Sequence, residues 1–166
     1  IIGFKDEADW DFEPNKKTSS SILNSHLPLI KSKTKKKLKE MFDKGDIDER
    51  YYYKQDAYMY KDLKKSIVSK NTVYQWRRVY VRENKSGECP TLTANMGTGG
   101  HNVPLIKDDL GIRKLTPREC LNFQGFPKSF KFPDDMPISQ RYKQAGNAVT
   151  VNLITKIAKI ISTSIR

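Results

Sequence analysis

The stretch that decides the fold is Arg113-Lys-Leu-Thr-Pro-Arg-Glu-Cys-Leu-Asn-Phe-Gln-Gly-Phe-Pro127. Thr116 and Glu119 have the spacing of a capping box, with a proline between them at the first helical position, and this predicts a short helix. Gly125 predicts the end of that helix. Arg118 is unusual because a cation in the first turn opposes the helix dipole, so we expect it to meet an acidic group or a phosphate.

A second informative stretch, Gln144-Ala-Gly-Asn-Ala-Val149, leads into an apolar segment that predicts a helix from Val149 to Ile165. The apolar residues of this segment repeat at helical spacing and form one stripe, and such a helix must dock on another surface. Gly146 and Asn147 predict a tight entry into the helix, with backbone amides that suit an anionic ligand group.

Upstream, the alternation of residue types over residues 75–83 predicts a β-strand. The turn-forming residues 84–87 favour a hairpin in which residues 90–94 return as the second strand. Guanidinium groups are costly to pack in a core, so we expect the arginines of this strand to face a ligand. Arginine and glutamine also have the shape to read base edges in the major groove of DNA. The residues concerned are Gln75, Arg77, Arg78 and Arg82.

Apolar residues at helical spacing predict two further helices, over residues 34–44 and 61–70. The five tyrosines in residues 51–60 favour aromatic packing at a domain surface, although base stacking explains them too. The glycine-rich residues 95–100 are not followed by the Lys-Ser or Lys-Thr of a nucleotide-phosphate loop, and we read them as a flexible turn.

The charge of the chain points to a polyanionic partner. Lysine and arginine number 31 against 19 aspartate and glutamate, a formal net charge of +12. Residues 75–166 hold 15 of the basic and 7 of the acidic side chains, so most of the excess lies in the second half. Nucleic acid is the simplest partner for such a surface, although charge that serves only solubility explains the total equally well.

Other classes of protein are disfavoured. Cys89, Cys120, His26 and His101 give neither a disulfide framework nor the spacing of a zinc site, so we expect no metal, reduced thiols and a cytoplasmic location. No apolar run approaches the roughly 20 residues of a membrane span, and no signal peptide is apparent. Residues 1–4 resemble the end of a buried strand and lack an initiator Met, which suggests an excised fragment or a chain whose front is missing.

These motifs resemble those of bacterial DNA (cytosine-5) methyltransferases. Residues 113–127 are similar to the ninth conserved motif of that family, and residues 144–149 with the following helix are similar to the tenth. Residues 90–93 resemble the Thr-Leu pair of the target recognition domain, and residues 1–4 resemble the end of the eighth motif. The order of motifs covers essentially the whole chain.

The resemblance implies an α+β fold. It consists of a small mixed recognition domain with a β-hairpin and short helices, plus a C-terminal amphipathic helix that belongs to a Rossmann-like methyltransferase domain. Residues 1–5 would end a strand of the catalytic domain, residues 6–125 would form the target recognition domain, and residues 126–166 would return to the catalytic domain with the cofactor-side turn.

The resemblance also implies roles for single residues. Gln75 and Arg78 match the base-reading and gap-filling positions, and Thr91 matches a phosphate contact beside the flipped cytosine. The candidate DNA-binding residues are Gln75, Arg77, Arg78, Arg82, Thr91 and Thr93. The candidate cofactor-binding residues, which match the turn over the methionine part of S-adenosylmethionine, are Asn147, Ala148 and Val149. The residues that match a structural brace of the recognition domain are Arg118 and Glu119.

The catalytic elements of the family are not found in this chain. Its members use a Cys thiolate in a Pro-Cys-Gln loop, a Glu-Asn-Val motif and a Phe-x-Gly-x-Gly cofactor loop. Cys89 precedes its proline and Cys120 lies in the capped helix, so we expect no catalytic residue here. The implied partners are duplex DNA and a missing N-terminal catalytic domain or partner subunit. A standalone DNA-binding module and an RNA-binding protein are the alternatives.

Overall fold

The computed structural model describes residues 38–77, 79–98 and 102–164. The helices in these ranges are α1 (Tyr60–Ser66), α2 (Pro117–Phe123), α3 (Ile138–Asn147) and α4 (Val151–Ser164). The strands are β1 (Tyr74–Arg77), β2 (Tyr80–Glu83), β3 (Leu105–Lys107) and β4 (Ile112–Lys114). Short 3₁₀ turns occur at Leu38–Glu40, Glu49–Tyr51 and Ala94–Gly97. This mixture of helices and strands confirms the α+β class. None of the helices described is long and apolar enough to cross a membrane.

The strands form one antiparallel sheet in the order β2-β1-β3-β4. Neighbouring side chains of a strand point to opposite faces, so Leu105 and Ile106 enter different buried clusters. Leu105 joins the cluster beneath α1, whereas Ile106 joins the larger cluster that contains side chains of α2 and α3. Buried side chains therefore cover both faces of the sheet at β3.

A hairpin forms in this region, but the predicted pairing of residues 75–83 with residues 90–94 was wrong. Residues 74–83 fold back on themselves as β1 and β2, whereas residues 90–94 form no strand. Pro90 has no N–H to donate to a ladder, and Leu92 is buried in the larger cluster instead. Pairing β1 with β2 also lets Trp76 and Val81 pack against the cluster beneath α1.

The predicted helices hold in part. The helix expected over residues 61–70 exists as α1 but ends at Ser66, with Ile67 as its C-cap; Leu63 and Ile67 are both fully buried, as their spacing predicted. Of the helix expected over residues 34–44, residues 34–37 lie outside the described ranges, and the rest is one 3₁₀ turn followed by irregular chain. Leu38 and Phe42 still pack on the larger cluster. Their spacing therefore indicated correctly that both side chains face the core, although no regular helix forms.

Helix α3 was not predicted, and it changes the reading of the second motif. Gly146 and Asn147 are the last residues of α3 and do not form the entry to the following helix. Residues 148–150, which begin with an extended Ala148, separate α3 from α4, which begins at Val151. The backbone amides of Gly146 and Asn147 thus belong to a helix C-terminus, which does not favour an anion.

Helix α3 packs closely on the 3₁₀ turn Ala94–Gly97. A Cβ atom on Gly146 would lie 2.2 Å from the carbonyl carbon and oxygen of Thr93, and one on Gly97 would lie 2.4 Å from the Ser139 carbonyl oxygen. Both contacts are between backbones, so only glycine fits at either position. The segment that carries Thr93 is therefore fixed to the helix that ends at Asn147.

Candidate nucleic-acid interface

Five of the six predicted DNA-binding residues line one groove of about 440 Å³. The groove lies between the β1–β2 hairpin and the segment that follows it. Its predicted members are Gln75, Arg77, Arg82, Thr91 and Thr93, and Trp76, Asn84, Glu88 and Cys89 also contribute. The sixth predicted residue, Arg78, lies outside the described residues.

The hairpin register explains why these side chains meet. Gln75 lies opposite Arg82, and Arg77 lies opposite Tyr80. Directly opposed residues share a face of the sheet, as do residues two apart on one strand. These four side chains therefore occupy one face, whereas the single long strand expected from the sequence would have placed Gln75 and Arg82 on opposite faces.

The groove arginines differ from the other arginines that the structure describes. Arg50, Arg113, Arg118 and Arg141 all bond to protein groups. Neither the Arg77 nor the Arg82 guanidinium has an ion-pair or hydrogen-bond partner among the described residues. Both side chains are exposed, so their donors are free to meet an anionic ligand.

Helix α2 has the caps that the sequence predicted. The Thr116 hydroxyl accepts the backbone N–H of Glu119 at 3.1 Å, and the Thr116 N–H donates to the Glu119 carboxylate at 2.7 Å. At the other end Gly125 has a φ of +81°, and the N–H of Phe126 donates to the Leu121 carbonyl at 3.0 Å. This is a Schellman ending, so α2 is fixed in length at both ends.

Glu119 lies at the centre of a buried ionic network that the sequence did not reveal. Arg113, 2% exposed, donates from both terminal nitrogens to the fully buried Glu119 carboxylate at 2.8 Å. The backbone N–H of Asp43 donates to the same carboxylate at 3.0 Å. Burial opposes the charge of Arg113, but the hydrogen bonds from its guanidinium to Glu119 and Asp108 outweigh that effect and raise its pKa. The network joins α2, β4 and the segment around residue 43.

Arg118 has different partners from those expected. Its guanidinium donates to the Phe130 carbonyl at 2.6 Å and its Nε to the Asn122 side-chain oxygen at 2.9 Å. Burial lowers the pKa of Arg118, and the nearby charge of Asp43 opposes this shift. Arg118 therefore fastens the segment after α2 through neutral oxygen atoms, and no acidic side chain among the described residues is in direct contact with it.

The buried side chain of Gln124 holds the link between α3 and α4. Its Nε2 lies 3.4 Å from the Ala145 carbonyl oxygen and 3.3 Å from that of Ala148, and its Oε1 accepts the Thr150 hydroxyl at 2.9 Å. The Gln124 carbonyl also accepts the N–H of Val151 at 2.8 Å. The predicted cofactor-binding residues Asn147 to Val149 thus lie in a tethered turn, with Asn147 and Val149 exposed.

The apolar stripe of α4 is uncovered by the part of the chain that the structure describes. Large apolar side chains on and just before this helix are exposed by 43–55%, and they are Val149, Leu153, Ile154 and Ile161. An open apolar groove of about 800 Å³ runs along one side of the helix. Such a surface is typical of a helix that contacts another domain or chain.

Neither cysteine is an activated nucleophile. Cys120 is fully buried, and burial raises the pKa of its thiol well above the ordinary value. Cys89 lines the groove, but burial raises its pKa to about 12. A nucleophilic cysteine needs a lowered pKa, and neither has one. The described residues also contain no cluster of three or more His, Cys, Asp or Glu arranged to hold a metal ion.

The fold is similar to part of a known methyltransferase structure. The structure superposes on Dnmt2 methyltransferase from S. pombe with a TM-score of 0.55 at 14% sequence identity, over 81% of this chain and 44% of that one. The model of the C-5 cytosine-specific DNA methylase family matches residues 1–163. The chain belongs to this family, which confirms the resemblance seen in its ninth and tenth motifs.

Two relatives differ in how much of this chain they match. Type II methyltransferase M.Bsp6I from Bacillus sp. (strain RFL6) is 57% identical over 126 residues, which are 75% of this chain and 40% of that enzyme. The human tRNA (cytosine(38)-C(5))-methyltransferase is 40% identical over 52 residues, 31% of this chain and 13% of that enzyme. The chain spans less than half the length of either relative.

Proposed function

We propose that this chain is the DNA-recognition and cofactor-closing portion of a DNA cytosine-5 methyltransferase. The complete enzyme would transfer a methyl group from S-adenosylmethionine to carbon 5 of a cytosine flipped out of duplex DNA. The observation that carries the proposal is the groove, in which Gln75, Arg77, Arg82, Thr91 and Thr93 converge.

The side chains of the groove suit DNA. The two guanidinium groups without described partners can bind phosphate or make two-point contacts to guanine, and the Gln75 amide can do the same to adenine. Thr91 and Thr93 are exposed and can donate their hydroxyls to phosphate oxygens. Arg78 lies outside the described residues, and we include it among the DNA-binding residues because its position in the sequence matches a recognition position of the family.

Duplex DNA is favoured over RNA by how far each kind of relative matches. The bacterial type II methyltransferase matches three quarters of the chain, whereas the tRNA methyltransferase matches less than one third. A recognition region should be shared most fully between proteins that recognise the same kind of nucleic acid. We therefore assign residues 6–125 to a target recognition domain for DNA, braced by Arg118 and Glu119.

This chain would contribute only a part of the catalytic domain of the complete enzyme. Residues 1–5 and 126–166 would belong to the catalytic domain, and the exposed stripe of α4 would pack against it. S-adenosylmethionine supplies a methyl group on a sulfonium centre. Asn147, Ala148 and Val149 would close over its methionine part, and a three-residue turn can cover only one side of such a ligand. Because both cysteines have raised thiol pKa values, the nucleophile would come from that domain or a partner subunit.

Binding by the full chain tests the recognition role. Fluorescence anisotropy should show tighter binding to a labelled duplex DNA pool than to single-stranded RNA of equal length, with affinity that falls as salt rises. Arg77→Ala and Arg82→Ala should each weaken DNA binding and lower the salt slope by about 1 where a phosphate contact is lost. Arg50→Ala, which removes an exposed arginine paired with Asp48 outside the groove, is the matched control. Equal affinity for RNA and DNA would count against the proposal.

Methyl transfer tests the second half of the proposal. The full chain should incorporate no labelled methyl from S-adenosylmethionine into DNA on its own. It should support incorporation when joined to the part of M.Bsp6I that it does not match. Methylation by the chain alone would show that the nucleophile lies within it. Failure of the joined protein to methylate, with DNA binding intact, would favour a standalone DNA-binding module.

A further inference from the structure

The β1–β2 hairpin presents an aromatic side chain beside the groove arginines. Tyr80 is 57% exposed and lies opposite Arg77 at the last pair before the hairpin tip. It shares its face with Gln75 and Arg82, which line the groove. In the single strand expected from the sequence, Tyr80 would have lain on the face opposite Gln75 and Arg77, whereas the hairpin brings it to their face.

The packing of the hairpin does not account for this exposed ring. The other face of the hairpin supplies the contacts to the core, through Trp76 and Val81. Elsewhere in the chain, Tyr74 and Tyr142 are almost completely buried, as expected for tyrosines that contribute to packing. Tyr80 instead displays a large apolar surface with a polar tip next to cations, and no described hydrogen bond holds its hydroxyl. This combination is typical of residues at binding surfaces.

We propose that Tyr80 is a further DNA-contacting residue, whose ring packs against a base exposed at the mouth of the groove. This inference rests on the proposed DNA-recognition function and adds to it a contact that charge does not explain. Arg77 and Arg82 attract the phosphates, whereas the Tyr80 ring contributes an aromatic contact that is insensitive to salt.

Substitution of Tyr80 tests the contact without disturbing the core, because the side chain is exposed. Tyr80→Ala in the full chain should weaken binding to the labelled duplex by about 10-fold, with an unchanged salt slope. Tyr80→Phe should bind within about 2-fold of wild type, because the ring remains. The matched control is Tyr58→Ala, which removes a tyrosine that is 80% exposed and lies outside the β1–β2 hairpin.

The outcomes separate this inference from the function on which it rests. If Arg77→Ala weakens binding while Tyr80→Ala binds like wild type, the ring makes no contact and only the inference fails. If Tyr80→Phe loses as much affinity as Tyr80→Ala, the hydroxyl makes the contact and the aromatic role is wrong. If the wild-type chain does not bind duplex DNA, the proposed function fails and the inference fails with it.

Discussion

The contact between Gly146 and Thr93 predicts a strong effect from a single added methyl group. In Gly146→Ala the new Cβ would lie 2.2 Å from the Thr93 carbonyl, and the separation must grow beyond 3.0 Å. Both atoms belong to backbones, so α3 or the segment of Thr93 must move. Overpacking of this kind costs about 3 kcal/mol at the upper end of its range, and alanine recovers about 1 kcal/mol of helix propensity. The net loss is about 2 kcal/mol of unfolding free energy, or about 4–8 °C in Tm for a chain of this size.

Thermal unfolding followed by circular dichroism measures this loss. Gly45→Ala is the matched control, because nothing lies within 4 Å of the added methyl group. It should leave Tm unchanged or raise it slightly. Gly97→Ala should resemble Gly146→Ala, since its Cβ would meet the Ser139 carbonyl oxygen at 2.4 Å. Equal Tm values for Gly146→Ala and Gly45→Ala would refute the reasoning and show that α3 moves freely away from the groove.

Three further predictions follow from the buried groups. Glu119→Ala leaves the Arg113 guanidinium buried without its main partner, so urea unfolding should show that the free energy of unfolding falls by about 3–5 kcal/mol. The control is Asp48→Asn, which changes an exposed ion pair and should leave the urea midpoint unchanged. Burial acts to raise the pKa of Asp108, but hydrogen bonds from Arg113, Tyr52 and two backbone amides outweigh it and lower the pKa below its ordinary value. Asp108 therefore contributes stability that is complete above its ordinary pKa and is lost as pH falls through the folded value. Acid unfolding of Asp108→Asn should lack that component, and an equal pH dependence in both proteins would contradict it. Because burial raises the pKa of Cys89 to about 12, the native chain should resist a thiol reagent at pH 8 and react only after unfolding; rapid labelling of Cys89 in the native chain would contradict this.

Local signals in the sequence predicted local structure well. The capping box at Thr116 and the helix end at Gly125 were confirmed, because each depends on residues within one or two turns. The burial of Leu63 and Ile67 followed from helical spacing in the same way. Gln75, Arg77 and Arg82 were correctly expected to face a ligand as a set, but the expected single strand put Gln75 and Arg82 on opposite faces, and the β1–β2 pairing is what brings all three to one groove.

Features that depend on distant residues were missed. The two residues between β1 and β2 in the sequence, Arg78 and Val79, are not the Gly, Asn or Asp that normally indicates a two-residue hairpin turn. Only the packing of Trp76 and Val81 on the cluster beneath α1 shows why the chain reverses there. Helix α3 did offer a signal, in the apolar spacing of Ile138, Tyr142 and Ala145, but its length depends on packing against residues more than 40 positions earlier.

The contacts of residues 113–127 and 144–149, the two motif segments, explain how residues far from the groove can change the position of the side chains that line it. Glu119 joins α2 to Arg113 in the sheet that carries the hairpin, and Gln124 joins the end of α2 to the turn after α3. Gly146 then brings α3 against the carbonyl of Thr93, which belongs to the groove. These connections are made by hydrogen bonds or by direct backbone contact, so a shift of the turn at Asn147 cannot be absorbed by a flexible side chain. On the proposed function, the turn over the cofactor and the segment that contacts DNA would therefore move as one body. A substitution in either motif should then change DNA binding through the position of Thr93, without altering any group that touches DNA.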